Sequence, residues 1–161
     1  MTKEEARNTT YGGKARENFL AGYNCAQSVL LAHEDFLQEK GLDVQTVLRL
    51  GSPFGGGISR LREVCGAMSA LCMLTGLLDG YDLPDDVKKK ELYTKVQQLA
   101  AEFRKSTGSI LCRELLGLNH QKDEPTPAKR TTEYYAERPC ADLCVAAAAI
   151  FASVRHWDER D

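Results

Sequence analysis

The sequence lacks any apolar stretch of the roughly 18 or more residues that a membrane-spanning helix needs. It also lacks an excess of charge of either sign, because 21 Lys and Arg residues stand against 23 Asp and Glu residues. The formal net charge of −2 gives no electrostatic basis for binding nucleic acid. The composition therefore predicts no membrane insertion and no nucleic-acid partner.

The start of the sequence predicts no secretory signal peptide. The first residues, Met1–Glu5, are polar and acidic, and no apolar segment follows them. We therefore expect a cytoplasmic protein, in which reduced thiols, metal ligation or redox chemistry explain the six cysteines better than structural disulfides do. These cysteines are Cys25, Cys65, Cys72, Cys112, Cys140 and Cys144.

Alternating β-branched residues, the mark of a sheet, are also missing, and helical patterns dominate the chain. The sequence predicts an all-α fold, a single-domain helical bundle of about six to seven helices over residues 1–161. After a polar segment 3–20 that is interrupted by Gly12 and Gly13, the expected helices cover residues 24–41, 43–50, 61–78, 86–105, 109–116 and 139–156. Residues 51–57 and 119–131 are expected to be loops.

The cap residues of these helices place three cysteines in a first helical turn. Cys25 follows the cap Asn24, Cys112 follows Ser109 by three residues, and Cys140 follows Pro139. A helix N-terminus offers unpaired N–H groups and partial positive charge, which favour a thiolate.

Cys65 is expected about two turns inside the helix that Ser59 caps. It is followed by Gly66, which would allow a cofactor or another backbone to come close. Cys72 and Cys144 share a helical face with Cys65 and Cys140, respectively. We expect both to be core residues, with an accessory or resolving role as the alternative.

No Cys-x-x-Cys pair is present, so the chain has neither a thioredoxin motif nor the usual zinc knuckle. A site shared by distant cysteines would require several helices to converge. The alternative is that free cysteines simply pack as small apolar residues. Arg60 and Arg62 are expected to be solvated side chains, with a role toward an anionic substrate as the alternative. The histidines His33, His120 and His156 show no metal-ligand spacing and are expected in surface or capping roles.

The ordered cysteine blocks resemble a known family. They are Gly22–Gln27, Phe54–Ile58, Glu63–Ala67, Gly108–Leu115 and Arg138–Cys140. Together they are similar to the redox-active family named C_GCAxxG_C_C, although Ala70 stands where that family's motif has its last glycine. A similar domain occurs beside haem-binding segments in split-Soret cytochromes, but this chain has no Cys-x-x-Cys-His for haem attachment.

The resemblance implies a helical domain with a redox role. In the first hypothesis Cys25, Cys65, Cys112 and Cys140 are the ligands of an iron–sulfur cluster or zinc. Gly56, Gly57 and Gly66 would then let the cofactor approach the backbone.

Two alternatives remain open. In the first, Cys25 and Cys65 form a reactive thiol–disulfide pair. In the second, the protein is a non-catalytic helical protein with structural cysteines. A redox partner of unknown identity is expected wherever the cysteines carry redox chemistry, and the apolar central helix and the alanine-rich last helix are compatible with a homodimer.

Overall fold

The computed structural model describes residues 1–155, apart from the side chain of Asn8. In this part of the chain it confirms the all-α prediction, with one isolated β-bridge between Val64 and Leu111. Six of the ten right-handed α-helices in the described residues have eight or more residues. The helices α1 to α10 span Lys3–Asn8, Thr10–Leu20, Cys25–Ala32, Glu34–Glu39, Val44–Gly51, Gly66–Asp79, Asp86–Thr107, Cys112–Leu115, Thr132–Glu137 and Cys140–Arg155.

Four helices, α2, α3, α6 and α10, pack against one another and form the core. Phe19, Leu30, Leu71 and Phe151 contribute large, almost fully buried side chains, one from each of these helices. The alanines of residues 146–149 include fully buried positions, and such small side chains allow neighbouring helices to approach α10 closely. The core therefore fixes the N-terminal ends of α3, α6 and α10 relative to one another.

Two helix breaks differ from the sequence prediction. The first break lies at Thr9, whose hydroxyl accepts a hydrogen bond from the N–H of Gly12 and caps α2. Gly12 and Gly13, where the sequence predicted an interruption, lie inside α2. The second lies at His33, between α3 and α4. The expected surface role of His33 is wrong, because its ring is fully buried, with Nε2 3.0 Å from the carbonyl oxygen of Ala148.

The largest correction concerns the central apolar helix, which begins at Gly66 rather than near Leu61. Residues 56–60 and Arg62 have left-handed backbone, so Ser59 does not cap a helix there. Such backbone costs about 1–2 kcal/mol for each residue other than glycine. Contacts that are distant in sequence hold it, among them the hydrogen bond from the N–H of Cys65 to Ile110 and the one from the N–H of Cys112 to Glu63.

The second half of the chain follows the prediction more closely. Asp85 caps α7 through the N–H groups of Val87 and Lys88, and the helix ends at Gly108 with φ 105°. The loop 119–131 is present, whereas α9 after it was not predicted. The predicted end of the last helix at His156 lies outside the described residues.

Among residues 1–155, none of the helices combines the length and the hydropathy that a bilayer-spanning segment requires.

Candidate functional site

Each of the four candidate ligands stands at the start of a helix. Cys25, Cys112 and Cys140 are the first residues of α3, α8 and α10, and Cys65 directly precedes α6. Local chemistry explains two of these starts. The side chain of Asn24 accepts from the N–H of Gln27 in a capping box before α3, and Pro139 precedes α10. Cys65 is therefore a helix-start residue like the other three, and its predicted position inside a helix is wrong.

These four cysteines line a single cavity of about 400 Å³. Gly56, Gly57 and Gly66, the glycines proposed to admit a cofactor, lie on the same wall. The structure thus brings together all seven residues that the sequence analysis singled out, although they come from four separate regions of the chain.

Two of the glycines are in close contact with cysteine-bearing backbone. A Cβ atom on Gly57 would lie 2.6 Å from Cβ of Cys112, and one on Gly66 would lie 3.2 Å from Cβ of Cys25. Real Cβ atoms essentially never come as close as the first of these distances. The absence of a side chain at these two positions is therefore what lets the cavity wall close around the thiols.

The thiols are not evenly spread around the cavity. The pKa of Cys25 depends mainly on hydrogen bonding with the side chains of Cys140 and Cys144, whereas Cys65 and Cys112 influence the pKa values of their neighbours through charge at longer range. Cys144 is fully buried, and its thiol donates to the carbonyl oxygen of Cys25 at 3.6 Å. Of the two additional cysteines, Cys144 is therefore next to the site, as its spacing of four residues from Cys140 allows.

Cys72 differs from the other five cysteines. It is half-buried, it does not line the cavity, and burial alone raises the pKa of its thiol. No neighbouring thiol among the described residues contributes to that shift. Cys72 is consequently the natural control for experiments on the other thiols.

Burial dominates the chemistry of the cavity thiols. Burial raises the pKa of Cys65 to about 12, although hydrogen bonds from the backbone N–H groups of Met68 and Ala67 lower it. Burial also raises the pKa of Cys112, while contact with Cys25 and then burial raise that of Cys140. Although helix N-termini favour thiolates, the thiols are therefore protonated at neutral pH unless a cation enters the cavity.

The pKa of Cys25 is also well above its ordinary value. Hydrogen bonding with Cys140 lowers it, but hydrogen bonding with Cys144 and burial raise it and outweigh this effect. Because Cys25, Cys140 and Cys144 influence one another's pKa values, their titrations are coupled.

Arg62 supplies positive charge directly at the cavity wall. Its side chain is 3% exposed, so the expectation of a solvated arginine is wrong. One guanidinium nitrogen lies 3.5 Å from Sγ of Cys112, and Nε donates to Asp123 at 2.7 Å. Arg62 lowers the pKa of Cys112, although burial outweighs it. No local sequence signal reveals this role, because the left-handed loop brings Arg62 inward.

Three more arginines line the cavity, and sequence reasoning missed two of them, Arg130 and Arg138. The guanidinium of Arg130 lies 4.2 Å from the ring centroid of Phe19, and that of Arg138 lies 4.8 Å from the ring centroid of Tyr134. Among the described residues, no Asp or Glu lines the cavity. The cavity wall therefore carries positive charge when its thiols are protonated and neutral.

The four cysteines can be compared as ligands for the two cofactors that the sequence suggests, an iron–sulfur cluster and a zinc ion. Thiolates are soft ligands that suit zinc and iron–sulfur clusters. In residues 1–155, however, no three Cys, His, Asp or Glu side chains are arranged to hold a single metal ion. A cluster distributes its thiolate bonds over several iron atoms, so its ligands do not have to meet at one point. The donors therefore fit a cluster better than one tetrahedral zinc ion.

Comparison with protein families confirms the resemblance noted from the cysteine blocks. A family model described as "Putative redox-active protein (C_GCAxxG_C_C)" matches residues 23–154, a range that includes all six cysteines. Comparisons with curated proteins and with solved structures give no significant match.

Proposed function

This chain belongs to the C_GCAxxG_C_C family, and from that premise we propose that its cavity is a redox centre in which Cys25, Cys65, Cys112 and Cys140 hold an iron–sulfur cluster. The observation that carries the proposal is the shared cavity. Four thiols from distant parts of the chain, each at the start of a helix, line it together. A cluster bound there would supply one-electron transfer.

The electrostatics of the site support ligation. The thiols lose their protons readily only when a cation offsets the cost of burying negative charge. When they do, the chain already provides compensating charge. Arg62 donates to Cys112, Arg138 lowers the pKa of both Cys112 and Cys140, and the backbone N–H groups of Met68 and Ala67 act on Cys65. The same raised pKa values make these thiols poor nucleophiles in the absence of a metal.

Thiol–disulfide chemistry is the second candidate, and one feature favours it: hydrogen bonding between the side chains of Cys25 and Cys140 is the largest influence on the pKa of both thiols. These two are better placed than the pair Cys25 and Cys65 suggested by the sequence, because Cys65 acts on Cys25 only through longer-range charge. In this reaction an external disulfide would be reduced to two thiols. The two protein thiols would lose two electrons and two protons and form a disulfide.

Anaerobic purification, followed by reconstitution with iron and sulfide, tests the proposal. We expect a coloured protein with visible charge-transfer absorption and equal amounts of iron and acid-labile sulfide. Single Cys→Ser variants at the four ligand positions should lose most of the iron, whereas Cys72→Ser should retain it. A colourless protein that binds neither iron nor zinc would refute ligation.

The same samples test the second candidate. Mild oxidation of the metal-free protein, followed by peptide mapping, should yield a Cys25–Cys140 disulfide if exchange chemistry is the function. If the Cys→Ser variants lose only a little stability and neither iron nor a disulfide is found, the cysteines are structural.

A further inference from the structure

Arg138 is the one cavity arginine without a polar partner among residues 1–155. Its guanidinium lies over the ring of Tyr134, and no described carboxylate or carbonyl oxygen accepts a hydrogen bond from it. The side chain is half-buried on the cavity wall, close enough to Cys112 and Cys140 to lower the pKa of both thiols. None of its five N–H donors therefore forms a hydrogen bond with another residue in the described part of the chain, and the side chain lines the cavity.

The other three arginines are fixed by polar contacts. Arg60 donates to the backbone oxygen of Glu124, and Arg62 to Asp123 and Cys112. Arg130 donates to the carbonyl oxygens of Phe19 and Tyr23. Carbonyl oxygens satisfy donors without cancelling charge, so these contacts leave most of the positive potential in place.

Asp123 is the described carboxylate that forms ion pairs with the cavity arginines. Asp123 accepts from Arg62 at 2.7 Å and lies 4.0 Å from Arg60, but it does not line the cavity. Because four guanidinium groups and no described carboxylate line the cavity, it has excess positive charge while its thiols are protonated.

We propose that this cavity binds a small oxygen anion, a carboxylate or a phosphate, through the guanidinium of Arg138. A planar guanidinium can donate two parallel hydrogen bonds to such a group, which is the geometry that favours Arg over Lys. The cavity volume of about 400 Å³ falls within the usual range of small-molecule sites. If the anion is the substrate of a redox centre, this inference rests on the proposed function. The binding of an anion by itself rests only on the arginines.

Calorimetric titration tests the inference, with inorganic phosphate and acetate as separate probes at constant ionic strength. It uses the protein as purified anaerobically, together with Arg138→Gln, Arg138→Lys and the control Arg113→Gln. Arg113 pairs with Glu63 and does not line the cavity. We expect saturable binding of at least one probe, weakened about tenfold or more by Arg138→Gln and unchanged by Arg113→Gln. Arg138→Lys should restore part of the affinity, and the stronger probe identifies the class of anion.

Iron and sulfide are measured in the same samples, so the two proposals fail in different ways. Saturable binding that depends on Arg138 in an iron-free protein supports the anion site and counts against the cluster. The inference is overturned if the wild-type protein binds neither probe. It is also overturned if Arg138→Gln loses iron but keeps its affinity for the anion, because Arg138 would then serve only the charge of the cluster.

Discussion

The guanidinium of Arg62 donates a hydrogen bond to Sγ of Cys112, 3.5 Å away and 50 residues further along the chain. Arg62 has left-handed backbone with φ 59°, and its side chain is nearly excluded from solvent. Charge acts strongly in such a place because little water screens it. This contact therefore couples the left-handed loop to the protonation of the cysteine at the start of α8.

Replacing Arg62 with methionine should make the thiol of Cys112 harder to ionise. Arg62→Met retains a long apolar side chain but removes the positive charge that lowers the pKa of Cys112, so that pKa should rise further. The pH profile of Cys112 alkylation by iodoacetamide, followed by peptide mass spectrometry in reduced, metal-free protein, should move to higher pH. The lost hydrogen bonds should also lower the free energy of unfolding by about 2 kcal/mol.

The control for this experiment is Arg113→Met. Arg113 is adjacent in sequence to Cys112, but its guanidinium donates to Glu63 and to the backbone oxygen of Arg62, not to sulfur. Its replacement should leave the alkylation profile in place. Equal shifts in both variants would show that general positive charge, and not the contact with Arg62, acts on Cys112.

Gly57 provides a test of how closely the loop must approach Cys112. Gly57 and Gly117 have the same φ of +66°, but a Cβ on Gly57 would lie 2.6 Å from Cβ of Cys112, whereas Gly117 has nothing within 4 Å. Gly117→Ala should cost about 1–2 kcal/mol, the backbone penalty alone. Gly57→Ala should cost about 1–3 kcal/mol more because backbone and Cβ atoms must move.

Chemical denaturation of both variants measures this difference. Gly57→Ala should also lower the iron content after reconstitution, because the contact that it disturbs positions a proposed ligand. Equal losses of stability in the two variants would show that the loop moves freely away from Cys112.

The helix starts that depend on local chemistry were predictable from the sequence. The capping box of Asn24 and Gln27 and the capping side chains of Asp43 and Asp85 act within three residues of themselves. Their effect is therefore visible in a short window. The cap Asn24 and the preceding Pro139 placed Cys25 and Cys140 correctly at helix starts. Cys112 also begins a helix, but the predicted cap Ser109 is wrong, because Leu111 stands at the cap position of α8.

The start of α6 at Gly66 was not predictable in this way. The left-handed backbone at residues 56–60 depends on partners far along the chain, such as Cys112 beside Gly57 and Ile110 beside Cys65. The buried positions of Arg62 and His33 likewise depend on tertiary contacts. A sequence pattern carries no record of such pairings unless the fold is already known.

Gly66 and Gly76 both lie in α6, but Gly→Ala substitutions at the two positions should change the stability of the fold in opposite directions. Gly→Ala in a helix usually stabilises by about 0.5–1 kcal/mol. Gly76, also in α6, has nothing within 4 Å of the position that an added Cβ would take, so Gly76→Ala should follow that rule. A Cβ on Gly66 would lie 2.6 Å from the backbone oxygen of Phe54 and 3.2 Å from Cβ of Cys25. Gly66→Ala should therefore destabilise by about 1–3 kcal/mol.

Thermal unfolding of the two α6 variants gives the sign directly. Reconstitution of the same proteins tests whether Gly66 also matters for the site: Gly66→Ala should bind less iron and Gly76→Ala a normal amount. If Gly66→Ala is as stable as Gly76→Ala, the contact with Phe54 and Cys25 is looser than the distances imply.

His33 makes the stability of the fold depend on pH. Its ring stacks on Tyr11 at 4.3 Å, and Nδ1 lies 3.4 Å from a guanidinium nitrogen of Arg155, which also pairs with Asp35. Burial, and to a smaller degree Arg155, lower the pKa of His33 to about 4, although the bond to Ala148 raises it. The folded protein therefore holds this imidazole neutral at a pH where the unfolded chain protonates it.

Because the unfolded state binds the extra proton, His33 makes the free energy of unfolding fall as pH decreases from about 6.5 to about 4, by about 3 kcal/mol in total. His33→Phe keeps an aromatic ring in the stack and removes the titration, at a cost of about 1 kcal/mol at pH 7 for the lost bond to Ala148. Urea unfolding across this range should give a flatter pH profile for His33→Phe than for the wild type. Since all carboxylates titrate in each protein, parallel profiles for wild type and His33→Phe would mean that His33 has the same pKa in the folded and unfolded states.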